Sequence, residues 1–173
     1  MKKTVVSLLL LVLLFVLGCT KTDTPFLEYQ SKNFDSTAKL EVNGQNYTVN
    51  IQKTSPENFT LTFTSPDTIS GVSIEKKGDE LFFSSGNVHI PMKENSNISA
   101  ETIKLFNLSK EDMISTSTDS LGGVKVNIAE FKCDYGNVKL YLSADTSLPV
   151  LIEANIKGNS VKLSFSSFAV KDI

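Results

Sequence analysis

Ala38-Lys39-Leu40-Glu41-Val42-Asn43-Gly44-Gln45-Asn46-Tyr47-Thr48-Val49-Asn50-Ile51 reads as a β-hairpin. Ala38, Leu40 and Val42 share one phase of a period-two alternation, and Tyr47, Val49 and Ile51 share one phase beyond the turn, so each arm offers one apolar face. Asn43-Gly44 stands between the arms, and both residues tolerate the positive φ that a tight hairpin turn demands. Phe59, Leu61 and Phe63 continue the pattern as a third strand. A chain that begins this way is building an antiparallel meander.

Downstream, Ser65-Pro66 followed by Gly71 predicts a single helical turn, with Ser65 as cap, Pro66 at the first helical position and Gly71 ending it. Val72 and Ile74 resume the alternation, Gly78-Asp79 supplies a turn, and Leu81 to Ser85 and Val88 to Pro91 complete six strands. A helical region is expected across roughly 99–115, as two helices or one kinked helix. Ser99 is placed to cap it with Ile98 stapled to Ile103, and ten residues on Ser109 precedes Asp112 while Leu108 can staple to Met113. Gly122-Gly123 ends that region. Val124, Val126 and Ile128 lie in one phase and Phe131 and Cys133 in the other, so a bulge near Ala129-Glu130 is expected. Strands follow at Val138 to Leu142, Val150 to Ile156 and Val161 to Phe165, separated by turn residues at 134–137, 145–149 and 158–159. The expected fold is mainly β with a minor α component: about ten antiparallel strands in a curved sheet, which must curl or be covered.

The N-terminus has a separate grammar. Lys2 and Lys3 precede an apolar run from Val5 to Leu17, and Val16-Leu17-Gly18-Cys19 closes it, as in a bacterial lipoprotein signal. About 13 to 17 apolar residues fall short of the roughly 20 that span a bilayer. The expectation is a signal peptide at 1–18, a lipid anchor and tether at 19–32 beginning with lipidated Cys19, and one domain at 33–173. In the pathway that this lipobox resembles, the Cys19 thiol takes a diacylglycerol with acyl chains such as palmitate. The domain is then held on the outer face of the cytoplasmic membrane, or at the outer membrane in a Gram-negative host.

Composition narrows the function. Removing residues 1–18 leaves 155 residues with fifteen lysines, nineteen acids and no arginine, a formal charge of −4. Without arginine the planar fork that grips phosphate is missing, and no lysine cluster exceeds Lys76-Lys77, so nucleic acid is not an expected partner. With Cys19 lipidated, Cys133 has no intramolecular partner and reads as a buried, inert thiol. One histidine, His89, in a strand pattern reads as an outward residue, and with a single free cysteine it makes a zinc site improbable. There is no nucleophile elbow and no phosphate loop. Asp79-Glu80 and Glu111-Asp112 are adjacent acids of the kind found solvated in turns and first helical turns. No catalytic residue, cofactor or metal is expected.

Phe34 leading to Val42-Asn43-Gly44 and Tyr47, the run Phe59 to Phe63 with Ser65-Pro66 and Gly71, the Gly78-Asp79 turn and the Asp145 to Leu148-Pro149 loop carry a further resemblance. In their order these elements resemble the LolA/LolB-like superfamily of lipoprotein carriers and lipoproteins, and more narrowly small clostridial lipoproteins of that fold. The resemblance covers most of 33–168 and implies an incomplete antiparallel barrel closed by short helices. LolA proteins are soluble and manage acyl chains with an apolar cavity and an arginine, whereas this chain has a lipobox and no arginine. Two functions follow as expectations. One is a membrane-anchored, non-catalytic lipoprotein binding an apolar ligand or acyl chain in a half-barrel cavity. Its candidate lining is Leu40, Tyr47, Val49, Phe59, Leu61 and Phe63 from the early strands, with Phe83, Phe106, Leu140, Ile152 and Phe165 from the rest. The other is a lipoprotein that positions or regulates a cell-envelope protein, as clostridial relatives of this fold look to do for a spore cortex amidase.

Overall fold

The computed structural model describes residues 26–92 and 98–171, with the side chains of 98–100 excluded. The signal peptide at 1–18 and Cys19 therefore lie outside the described residues, and the expected Ser99 cap and Ile98 staple rest on side chains outside them.

Eleven strands form one antiparallel sheet. They are β1 (Asn33–Val42), β2 (Gln45–Lys53), β3 (Asn58–Ser65), β4 (Val72–Lys77), β5 (Glu80–Ser85), β6 (Val88–Met92), β7 (Met113–Leu121), β8 (Val124–Cys133), β9 (Gly136–Ser143), β10 (Pro149–Ile156) and β11 (Asn159–Lys171). The spatial order is β6-β5-β4-β3-β2-β1-β11-β10-β9-β8-β7. Every neighbour is a sequence neighbour except β1 and β11, whose pairing joins two meanders. β6 and β7 stand at opposite edges, so the sheet does not close on itself. Among the described residues the one α-helix, α1 (Ile98–Lys104), lies between them in sequence.

The Asn43-Gly44 hairpin forms as expected, with Asn43 at φ 50°, Gly44 at φ 84° and Ala38 to Val42 paired with Val49 to Gln45. Alternation sends Phe34, Ala38 and Leu40 of β1, Val49 and Ile51 of β2, Phe59 and Leu61 of β3, Leu140 and Leu142 of β9, and Ile152 of β10 into one core. The same core takes Ile103, Leu105, Phe106 and Leu108 from α1 and the segment after it. Phe26 and Tyr29 also enter it, at 6% and 3% exposure. Residues 26–31, read from sequence as part of the tether, are thus packed onto the domain, with a 3₁₀ turn at Glu28–Ser31.

Three further expectations are corrected. The second half of the helical region is a single 3₁₀ turn, Lys110–Asp112, in which the Ser109 side chain accepts from the Glu111 amide rather than capping a helix through Asp112. From Met113 the chain is β7, a strand of hydroxyl residues hidden from a reading based on apolar alternation, and Gly122-Gly123 is its hairpin turn to β8. The register shift expected near Ala129-Glu130 falls on β7 instead, between Met113 and Ser115, while β8 pairs with β9 without interruption. The two phases of β8 coexist because both faces are covered there: Ala129 and Phe131 belong to the main core, and Val126 and Ile128 are buried outside it. The turn after β3 also starts later than expected, at Asp67–Ile69, with Ser65 still in the strand and no side-chain cap.

Candidate functional site

A seven-residue helix followed by buried Leu105, Phe106 and Leu108 closes the core-bearing face of the sheet, and the closure is specific. Phe106 sits 5.0 Å from Phe59, 5.8 Å from Phe34 and 6.2 Å from Phe165, measured between ring centroids. Phe168 extends the cluster, 4.6 Å from Phe34 and 5.5 Å from Phe165, and Tyr29 meets Phe168 edge-on at 5.6 Å. Each such pair adds about 0.5–1.5 kcal/mol beyond the area it buries. Phe106, 2% exposed, therefore occupies the middle of the face that an apolar ligand would need.

The C-terminal end of α1 is clamped to two turns. Glu101, 2% exposed, accepts from Lys157 Nζ at 2.8 Å, and Lys104 Nζ lies 3.3 Å from its other oxygen. Burial acts to raise the Glu101 carboxyl, but the hydrogen bonds from Lys157 and Lys104 outweigh it and hold it below the usual carboxylate value. Tyr135 Oη donates to the Lys104 carbonyl at 3.3 Å, and the Lys157 amide donates to the Tyr135 carbonyl at 3.1 Å. Burial pushes the Tyr135 phenol well up, so it stays a neutral donor.

Beside this clamp a cleft of about 350 Å³ opens between α1 and the sheet. Phe59, Ile103 and Phe106 supply its apolar lining, while Lys53, Lys76, Lys104, Asp112, Asp134 and Tyr135 supply its polar surface. Lys53 is 7% exposed; its ammonium donates to the Gln30 carbonyl, and burial lowers its pKa. That bond ties β2 to the 26–31 segment at the cleft.

Of the candidate lining residues, Leu40, Val49, Phe59, Leu61, Phe63, Phe106, Leu140 and Ile152 are all buried in the one core. Tyr47 and Phe165 are partly buried against it, and Tyr47 packs edge-on to Phe63 at 5.6 Å. Phe83 is partly exposed near the β6 edge, opposite Ile90. Only Phe59 and Phe106 of the eleven reach the cleft. Lys53, Ile103 and Tyr135 were not anticipated. The signal for Lys53 was present, because it continues the inward phase of Tyr47, Val49 and Ile51.

The opposite face carries a charge ladder. Glu41, Lys162, Glu153, Lys139 and Glu130 stand in register across β1, β11, β10, β9 and β8. Lys162 meets Glu153 at 3.0 Å and Lys139 meets Glu130 at 3.3 Å, with Tyr141 donating to Glu153 at 2.9 Å and Ser115 to Glu130 at 3.0 Å. Exposed pairs of this kind contribute about 0–1 kcal/mol each. Glu153 and Glu130 are thus each held by a lysine and a hydroxyl of neighbouring strands.

His89 is exposed on β6, with Nδ1 2.8 Å from Ser84 Oγ. Ser84 is 4% exposed, so the hydroxyl is spent within the sheet and not presented to a substrate. Cys133 is half-buried, and burial raises its pKa, which disfavours the reactive thiolate. Among the described residues no three His, Cys, Asp or Glu side chains assemble as metal ligands, and no helix is long and apolar enough to cross a membrane.

No protein-family model matches the sequence, and no curated protein matches it. Solved structures do. An uncharacterised conserved protein of Thermus thermophilus aligns at 12% identity over 86% of this chain and 85% of its own, with a TM-score of 0.57. MucB aligns at 12% identity with a TM-score of 0.51, over 90% of this chain and 60% of MucB. A LolA superfamily protein of Nitrosomonas europaea aligns at 13% identity over 86% of this chain and 93% of its own, with a TM-score of 0.46. The open antiparallel sheet with its one described helix shares its fold with the Thermus protein and with MucB.

Proposed function

We propose that the chain is a membrane-anchored, non-catalytic lipoprotein of the extracytoplasmic envelope, lipidated at Cys19 and joined by a short linker to a half-barrel that holds another envelope protein. The observation that supports this reading is Phe106. The protein's own side chains fill the concave face, with Phe34, Leu40, Val49, Leu61, Leu105, Leu140 and Ile152 all below 2% exposed. What is left for a partner is the sheet edge: β7 offers nine residues, eight of them exposed, with no proline and no lysine to discourage pairing. An extended segment added to such an edge gains main-chain hydrogen bonds. The second reading, an apolar ligand, is favoured by the cleft lined by Phe59, Ile103 and Phe106, and requires Phe106 to move aside.

The test is purification of the lipidated protein from its own envelope, followed by native mass spectrometry and lipid extraction. A stoichiometric protein partner lost on Ser117→Lys in β7, with the fold retained, supports the first reading; a bound acyl species of defined mass on a partner-free chain replaces it with the second. Cys19→Ser should move the protein from the membrane fraction to the soluble fraction or an unprocessed precursor. Unchanged membrane extraction and an unchanged lipid label would sink the anchor.

A further inference from the structure

Five large aliphatic residues of the described chain are exposed: Val88 and Ile90 on β6, Ile114 near the start of β7, and Leu121 and Val124 together at one turn. Leu121 and Val124, 41% and 47% exposed, flank Gly122-Gly123 at the tip of the β7–β8 hairpin. Sheet parity places that tip. Each neighbour is antiparallel, so counting from β1 through β11, β10 and β9 to β8 brings the start of β8 to the end of the sheet where β1 starts. Residues 26–31, packed onto the domain, lead into β1 at this same end. Phe26 is already packed in the core, so seven residue steps separate it from Cys19, a reach of about 25 Å at full extension.

The other described turns at this end are unlike the tip. The β2–β3 turn exposes Glu57, the β4–β5 turn exposes Asp79 and the β9–β10 loop exposes Asp145. The β7–β8 tip instead places two aliphatic side chains at the turn and Lys125 next to them, a composition suited to acyl chains and lipid phosphate. It is also braced, because the Ala144 amide donates to the Lys125 carbonyl at 3.0 Å.

We propose that Leu121 and Val124 form a membrane-contact site that seats the anchored domain on the surface of the phospholipid bilayer carrying its lipid. The proposal rests on the Cys19 anchor. Two aliphatic residues bind a bilayer weakly when free in solution, but a tether this short holds them at high effective concentration beside it. The contact would orient the domain and turn its far end, with the Asn43-Gly44 and Gly158-Asn159 turns, toward other envelope components.

The chain contains no tryptophan, which makes the test direct. Leu121→Trp or Val124→Trp is introduced into the mature lipidated protein, reconstituted in phosphatidylcholine–phosphatidylglycerol vesicles with plain or brominated acyl chains. Intact mass confirms the lipid and flotation confirms attachment. The expected result is a blue-shifted emission quenched about twofold or more by brominated lipid, as for an interfacial aliphatic site. Gln45→Trp, exposed at the opposite end, should be unquenched. Equal emission in both vesicles from floated, lipid-bearing protein overturns the contact and leaves the anchor standing. Protein that lacks the lipid mass and fails to float overturns the anchor reading, and this one with it.

Discussion

Phe106 and Gly136 show how much of this protein depends on contacts that single positions make with distant parts of the chain. Phe106 lies outside any strand alternation, yet it touches rings from β1, β3 and β11. Phe106→Ala should cost about 3–5 kcal/mol, because the cavity is walled by side chains from rigid strands that cannot collapse into it. Urea unfolding measures that loss, and if the apolar-ligand reading holds, the same variant should take up an acyl chain more readily. Gly136 opens β9 at φ 147°, and a Cβ there would stand 1.8 Å from the Asn155 carbonyl oxygen of β10. Gly136→Ala should therefore destabilise by about 2 kcal/mol or more, since the obstacle is backbone held in a sheet. A melting temperature unchanged from wild type would contradict this register.

The element that carries regulation-like sensitivity is α1. A seven-residue helix has little stability of its own, so its position depends on Glu101, Lys104, Lys157 and Tyr135. The folded-state pKa of Glu101 is depressed, so the unfolded chain binds the proton more readily. Stabilisation is complete above the unfolded value of about 4.3 and is lost as pH falls through the folded value. Hydrogen exchange of residues 101–108 should accelerate below that pH ahead of the β1–β2 and β1–β11 amides. Glu101→Gln should lower stability at neutral pH by about 1–2 kcal/mol and flatten the acid dependence. The elements legible in sequence were those with clean alternation: β1 to β6 and β9 to β11 all stand where apolar phase placed them. β7 was missed because Ser115 to Ser120 contains no apolar residue, and the second helix was overcalled because a capping serine at Ser109 also serves a single turn.

At the scale of the whole molecule, an eleven-stranded sheet is left open between a short edge and a long one. β6 is five residues and contains Pro91, whereas β7 is nine residues with Asp119 as its one charge. The long edge is where the proposed partner binds, and its hairpin tip is where the proposed bilayer contact lies. From sequence alone came the β-rich meander and the hairpin at Asn43-Gly44, because period and turn chemistry are local properties. Only the tertiary structure decided that Phe106 packs among Phe34, Phe59 and Phe165, that Phe26 and Tyr29 join the core, that Lys53 turns inward and that Leu121 shares an end of the sheet with the start of β1. Each of these depends on contacts between residues far apart in the chain: a phase says which side chains face inward together, and only the curvature of the assembled sheet decides whether the space they enclose is empty or already occupied.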